Sequence, residues 1–225
     1  MANIYIPSSG PESWKSLLAD PEKQWVTGRS AKALAHCWEA AEDFPPEIST
    51  ALRRYSDFEH LSALLVFPEW KVPLPGGQRA SQNDAWVLAR CRTGLVSISI
   101  EGKVDEPFDR TLNDWLKEAS IGKQERLTYL KSVLSLSDDL PGHIYYQLLH
   151  RAASAVIEAE RFGAVAAVML VHSISQTNTW FAEFAHFAEL FGIEASIGNV
   201  GVAKARNELP LILGWVKGES TFLES

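Results

Sequence analysis

Asp84, Glu101 and Lys103 are the residues of this chain whose types and spacing could do chemistry together. Glu101-Gly102-Lys103 closes the run Leu95-Val96-Ser97-Ile98-Ser99-Ile100, and Asp84 stands 17 residues upstream of Glu101, at the head of a second strand-like run, Ala85 to Cys91. Strand side chains alternate with period two, so a carboxylate-x-lysine triplet puts both groups on one face. Val96, Ile98 and Ile100 then point to the opposite face and can bury. A second carboxylate from the neighbouring strand would complete a site for a hard divalent cation, with the lysine beside it. Mg²⁺ needs few carboxylates and keeps waters or phosphate oxygens. A cation of that kind offsets phosphate charge and generates hydroxide at neutral pH. The competing reading is a solvated strand end whose Glu–Lys pair is worth little.

The chain holds a second triplet of the same kind, Glu69-Trp70-Lys71, preceded by Pro68. It ranks below the first. Pro73 and Pro75 place it on an edge strand or loop, and it has no strand-borne Asp on its N-terminal side. Asp105 and Glu106 read as a turn before Pro107, or as an acidic rim to the site. His172, at the end of the apolar run Ala164 to Val171, reads as a packed or rim histidine. The remaining histidines show no HExxH or other tight metal spacing, and neither a nucleophile elbow, a P-loop nor a dinucleotide fingerprint is present. Cys37 and Cys91 make no framework or metal pair and read as buried, reduced thiols.

The elements that must position these residues follow from periodicity and punctuation. Residues 1–30 read as an N-terminal arm packed through Trp14 and Trp25, with a short helical stretch near Trp14 to Ala19. Ser30 is a plausible N-cap for a helix from Ala31 to about Glu42, with Ala31, Leu34, Ala35 and Trp38 buried and Lys32, His36, Glu39 and Asp43 on a polar stripe. Pro45-Pro46 ends it, and a short helix follows from Glu47 to about Tyr55. Leu61 to Leu74 supplies a first strand. Trp86 to Cys91 and Leu95 to Lys103 form a hairpin through Arg92-Thr93-Gly94. Lys123 to Leu134 is a helix. Tyr145 to Arg161 is another, with Gln147, Arg151, Ser154 and Glu158 on its polar stripe and Gly163 as its stop. The run 164–171 is continuously apolar, as in a strand covered on both faces. A helix from Trp180 to Phe191, a turn at Gly198-Asn199-Val200-Gly201 and a last strand from Leu211 to Val216 complete the chain.

This order, with Asp84 on the second strand and Glu101-x-Lys103 on the third, resembles the PD-(D/E)XK nuclease superfamily, the restriction-endonuclease-like fold, with this chain as a bacterial-type member. The resemblance spans about residues 31–175. It implies an α/β fold with a central mixed sheet flanked by helices (an αβββαβ core), a single domain over 1–225, and a C-terminal helix–strand extension over 176–225. It implies Mg²⁺ or Mn²⁺ held by Asp84 and Glu101, with Lys103 positioning the attacking water and stabilising developing charge. Glu39 sits where many members carry a metal-reaching Glu on the first core helix. Gln147 and Arg151 lie one turn apart where members commonly carry Gln-x-x-x-Tyr. Here the last position is Arg151, a residue able to clamp a phosphate bidentately.

Composition bounds these readings. Hydrophobic content of 46% is enough for a sizeable core, and no run of 18 apolar residues exists to cross a membrane. Met1-Ala2-Asn3-Ile4-Tyr5-Ile6-Pro7 has neither a basic region nor an apolar run, so no signal peptide and a cytoplasmic location are expected. The net charge of −7 counts against a broad basic surface for DNA or RNA, though an acidic whole can carry a local basic patch. Three classes stay open: a metal-dependent phosphodiesterase acting on DNA or RNA, as a monomer or homodimer; a catalytically silent member of the same fold that binds a partner; and an unrelated α/β structural or regulatory protein.

Overall fold

Residues 7–118 and 120–225 are described in the computed structural model of the protein, so the first six residues of the expected arm, and with them the leader reading, lie outside the described residues. Two short helices, α1 (Glu12–Lys15) and α2 (Pro21–Gln24), lead into α3 (Ser30–Glu39) and α4 (Pro46–Leu52). Ser30 is not the N-cap of α3. Arg29 holds that place without a side-chain hydrogen bond, and the Ser30 N–H instead donates to Glu106 Oε1 at 2.8 Å. Glu106 also accepts the Val104 N–H at 3.0 Å, so it caps a helix rather than lining a site.

Strands β1 (Ser62–Val72), β2 (Ser81–Cys91) and β3 (Gly94–Lys103) form an antiparallel meander. The chain then passes through α5 (Leu112–Leu116), α6 (Ile121–Leu134) and α7 (Tyr146–Phe162) before β4 (Ala166–Ser173), which is parallel to β3. After α8 (Phe181–Glu189), an edge strand β5 (Val200–Lys204) pairs antiparallel to β6 (Pro210–Lys217), itself parallel to β4. The result is one mixed six-stranded sheet in the order β1-β2-β3-β4-β6-β5, flanked by helices. No helix among the described residues is long and apolar enough to cross a membrane.

Two apolar layers hold the sheet. On one face Leu34 and Trp38 of α3, with Ile48 and Leu52 of α4, pack on Val87, Ile98, Ile100, Val168, Leu170 and Ile212. On the other, Leu148, Leu149, Ala152 and Val156 of α7 pack on Ala167, Met169, Val171 and Leu213. Every residue of β4 is buried, which is why its sequence shows no alternation. Small residues let α7 approach closely: Ala152, Ala153, Ala155 and Ala159 are all fully buried. The loop entering β2 is pinned to α6. Arg126 donates to the carbonyls of Pro75, Leu74 and Gly77. Gly76, at φ +74°, lies so close to Gly122 that an added Cβ would stand 1.9 Å from its carbonyl oxygen. Only glycine satisfies both demands.

Candidate functional site

The meander sets three carboxylates in a row. Ala85 pairs with Ile100, so the next position along the ladder sets Asp84 opposite Glu101. Pro68 pairs with Ala85 and Trp70 with Asn83, which brackets Glu69 opposite Asp84. β2 begins at Ser81 rather than at Ala85, so Asp84 sits inside the strand, at the level of Glu101. Glu69 takes a left-handed backbone conformation, φ 52°, on the edge strand. That is uncommon for a non-glycine residue and characteristic of functional or over-determined positions. It belongs to the lower-ranked triplet, whose Glu is therefore part of the cluster.

Glu101 is its centre. Lys103 Nζ and Gln147 Nε2 donate to Glu101 Oε1 at 2.5 and 2.8 Å, and Arg151 Nε donates to Oε2 at 2.5 Å. Arg151 also reaches Asp84 Oδ1 at 3.7 Å, so its guanidinium spans the two carboxylates. Asp84 Oδ2 accepts the Gly102 N–H at 2.7 Å, and Glu69 Oε2 accepts from Gln82 at 2.6 Å. Glu101 is 1% exposed, Lys103 4% and Arg151 6%, which removes the solvated-strand-end reading. The Asp84 side chain, 23% exposed, forms the open edge. Lys103 Nζ also lies 4.8 Å from the centroid of the Phe108 ring.

Local sequence explains the convergence. The polar stripe of α7 is turned onto the sheet, where it meets the polar face of β3, so Arg151, Ser154 and Glu158 are buried. Beneath the carboxylates, Ser99 Oγ donates to Asn83 Oδ1 at 2.5 Å and Trp86 Nε1 to Ser97 Oγ at 2.9 Å. Ser81 Oγ is hydrogen-bonded to His150 Nδ1 at 2.7 Å and lies 3.4 Å from Arg151. Such a floor fixes the rotamers of the groups above it.

Glu39 does not join them. Its Oε1 accepts from Trp14 Nε1 at 2.7 Å and from Ser8 Oγ, tying the N-terminal arm to the end of α3. The physical reason is the side of the sheet: α3 packs on the face opposite α7, so its polar stripe runs away from Glu101 and Lys103. Asp105 is likewise turned aside, its Oδ1 accepting from Thr179 Oγ1 at 3.4 Å and its backbone carbonyl from Trp180 Nε1 at 3.0 Å.

The electrostatics are unequal across the row. Burial would raise the Glu101 carboxyl, but Arg151 and Lys103 outweigh it and hold it below its ordinary value. Burial, then the charge of Glu101, push Asp84 up to about 7. Burial, then Asp84, push Glu69 up to about 8. His150 is held well below the usual histidine range by burial and by Arg151, and carries no charge at neutral pH. Three carboxylates thus face two cations, Lys103 and Arg151, and the imbalance falls on Asp84 and Glu69.

This imbalance has a pH signature. A carboxyl with a raised folded pKa keeps a proton that the unfolded chain has already released, so it contributes stability that is lost as pH rises through the folded pKa. From Asp84 and Glu69 that loss begins above the ordinary carboxyl range and is complete only once pH has passed about 7 and about 8. The depressed His150 works oppositely, but only below its ordinary 6.5. The metal-free protein is therefore expected to lose stability between about pH 6.5 and 8.5, with Asp84→Asn flattening the slope. Urea midpoints across that range check it, and a midpoint rising with pH in the wild type would refute it.

Neither a curated protein nor a solved structure matches the sequence. A family model described as "Domain of unknown function (DUF6946)" matches residues 7–220, and the chain belongs to that family.

Proposed function

We propose that this protein is a divalent-cation-dependent phosphodiesterase acting on nucleic acid, built on a restriction-endonuclease-like core. The observation that carries the reading is the convergence of Asp84 and Glu101 from paired strands with Lys103 beside them and Gln147 and Arg151 above. The order α3-β1-β2-β3-α7-β4, with α4 interposed before β1 and α5 and α6 before α7, and with β4 parallel to β3, supports it. So do exposed cations on the segments that carry or flank the site residues: Lys71 two residues past Glu69 on β1, Arg79 just before β2, and Arg110 in the connection after β3. They offer exposed positive charge on an acidic protein.

The donor set fits Mg²⁺ or Mn²⁺. Oxygen ligands from Asp84 and Glu101 suit a hard cation, and a divalent charge corrects the deficit that Asp84 and Glu69 bear. Asp84 and Glu101 would hold it, with Glu69 at the outer end of the row. When bound, the ion supplies Lewis acidity toward a phosphate oxygen and lowers the pKa of water. The chain's own groups do the rest. Lys103, anchored between Glu101 and Phe108, presents a fixed ammonium where charge develops on the phosphate. Gln147 spans Glu101 and the Asp109 N–H, holding the connection after β3 against α7.

One observation favours a second reading. Arg151 already bridges Glu101 and Asp84 as a cation would, which suits a catalytically silent binding module of the same fold. The experiment that separates the two uses single- and double-stranded DNA and RNA with Mg²⁺, Mn²⁺ or chelator, plus calorimetric titration of the ion. Metal-dependent cleavage by the wild type, with binding and cleavage both lost in Asp84→Asn, is expected. Equal ion binding by wild type and Asp84→Asn would remove this site from consideration. Binding at Asp84 without cleavage of any substrate would select the silent module.

A further inference from the structure

On the opposite face of the sheet, at the level of Glu101, a second set of ligand-type side chains meets. His172 of β4 pairs with Gly102 of β3 and points toward α3 and α4. Its Nε2 lies 2.8 Å from Glu47 Oε1 in the first turn of α4, and Cys37 Sγ of α3 lies 3.9 Å from the same oxygen. The three ligand atoms all fall within 4.8 Å of one another. We propose that Cys37, Glu47 and His172 bind a borderline divalent cation of the Zn²⁺ class.

Several independent features support this. A tetrahedral Zn²⁺ site uses S, N and O donors at about 2.0–2.3 Å, which puts the donors roughly 3.3–3.5 Å apart. The Cys37–Glu47 spacing is a few tenths of an ångström wider and the Glu47–His172 spacing a few tenths narrower, which a Glu rotamer adjustment covers, while Cys37 and His172, within 4.8 Å of each other, close on the ion by rotation of the Cys37 side chain. Space beside His172 is kept by the backbone: a Cβ at Gly218 would stand 2.7 Å from Nε2. The donors come from three separate elements, as expected for a site assembled by folding. Cys37 and His172 are 3% and 0% exposed, while Glu47 lines a surface cleft with Thr50, Lys217 and Glu219. The fourth position therefore opens on that cleft, for water or for Glu219.

The donor set also distinguishes this site from the carboxylate row. A thiolate and an imidazole select Zn²⁺ or Co²⁺ over Mg²⁺. A coordinating thiol is deprotonated outright by the ion, which the Cys37 thiol needs, since burial and Glu47 push it up to about 12. Binding through Nε2 leaves the ring proton on Nδ1, which is buried without a hydrogen-bond partner among the described residues. Affinity is thus expected to sit about 10–100-fold below that of a site whose histidine has such an acceptor.

Co²⁺ titration of the full chain tests it, because a thiolate ligand gives a near-ultraviolet charge-transfer band that carboxylates cannot produce. One equivalent of Co²⁺ should generate that band, and Zn²⁺ should bleach it. It should vanish in Cys37→Ser and His172→Gln and persist in Cys91→Ser and Glu101→Gln, with circular dichroism confirming the fold of each. No band in the wild type, or a band that survives Cys37→Ser, overturns the proposal. Should His172→Gln fail to fold, the wild type and the near-isosteric Cys37→Ser still decide. Persistence in Glu101→Gln keeps this outcome independent of the phosphodiesterase reading.

Discussion

Lys103→Met is expected to lower the proposed divalent-dependent cleavage by about 10²–10³-fold, the cost of removing one oriented group that stabilises transition-state charge. The magnitude depends on where the ammonium sits. On a solvated strand end it would be screened, and its removal would change stability by about 1 kcal/mol or less. Here Lys103 is 4% exposed, donates to Glu101, and rests against Phe108. In such surroundings its charge is little screened by water. Methionine keeps much of the stem and its packing while deleting the charge, and Arg151 and Gln147 remain to satisfy Glu101. The variant should therefore fold, bind the ion and fail in turnover, giving a fall in kcat with KM little changed. Assays with Mg²⁺, Mn²⁺ and chelator check this on the same substrates as the wild type. Cleavage undiminished in Lys103→Met would show that the activity comes from another site or a contaminant.

How far the site could be read beforehand depends on the range of the information needed. The approach of Asp84 to Glu101 was readable because it is local: a tight link through Arg92 and Thr93 joins two paired strands whose ladder runs to Ala85 and Ile100, one residue short of each carboxylate. Gln147 and Arg151 were readable as a polar stripe on α7, and the structure turns that stripe toward β3, burying Arg151. Glu69 was hidden because its role rests on an edge-strand backbone with positive φ, set by tertiary context. Its Glu-x-Lys triplet was the available signal, and the nearby prolines argued against it. Glu39 failed for the complementary reason. Helical spacing gives the face of a helix but not the side of the sheet on which that helix lies. The same limit concealed the meeting of Cys37, Glu47 and His172, which are distant in sequence and share no spacing motif. At the level of elements, β5 was masked by the turn residues before it, since Gly198 has φ +76° but Val200–Lys204 pairs with β6.

Arg151→Met should produce the largest change in stability, and its response to metal separates the two functional readings. Removing one partner of a buried ion pair typically costs about 3–5 kcal/mol, because the other charge is left buried and undercompensated. Arg151 is 6% exposed and Glu101 1% exposed. Their contact is direct, at 2.5 Å, and the same guanidinium offsets Asp84 at 3.7 Å. Its loss leaves Lys103, among the described residues, as the one cation facing Glu69, Asp84 and Glu101. The metal-free variant should therefore unfold at markedly lower urea concentration, and the deficit should widen as pH rises and Asp84 and Glu69 ionise. If the carboxylate row holds a divalent ion, Mg²⁺ or Mn²⁺ should restore much of that loss, since a ligand at 100 times its Kd stabilises the native state by about 2.7 kcal/mol. The gain should be larger in Arg151→Met than in the wild type, where the ion must first displace or share the place of the guanidinium. Urea titrations of both proteins, with and without the ion, measure this difference directly. Equal or absent rescue would mean that the arginine is the resident cation of the site, and would overturn metal-dependent hydrolysis there.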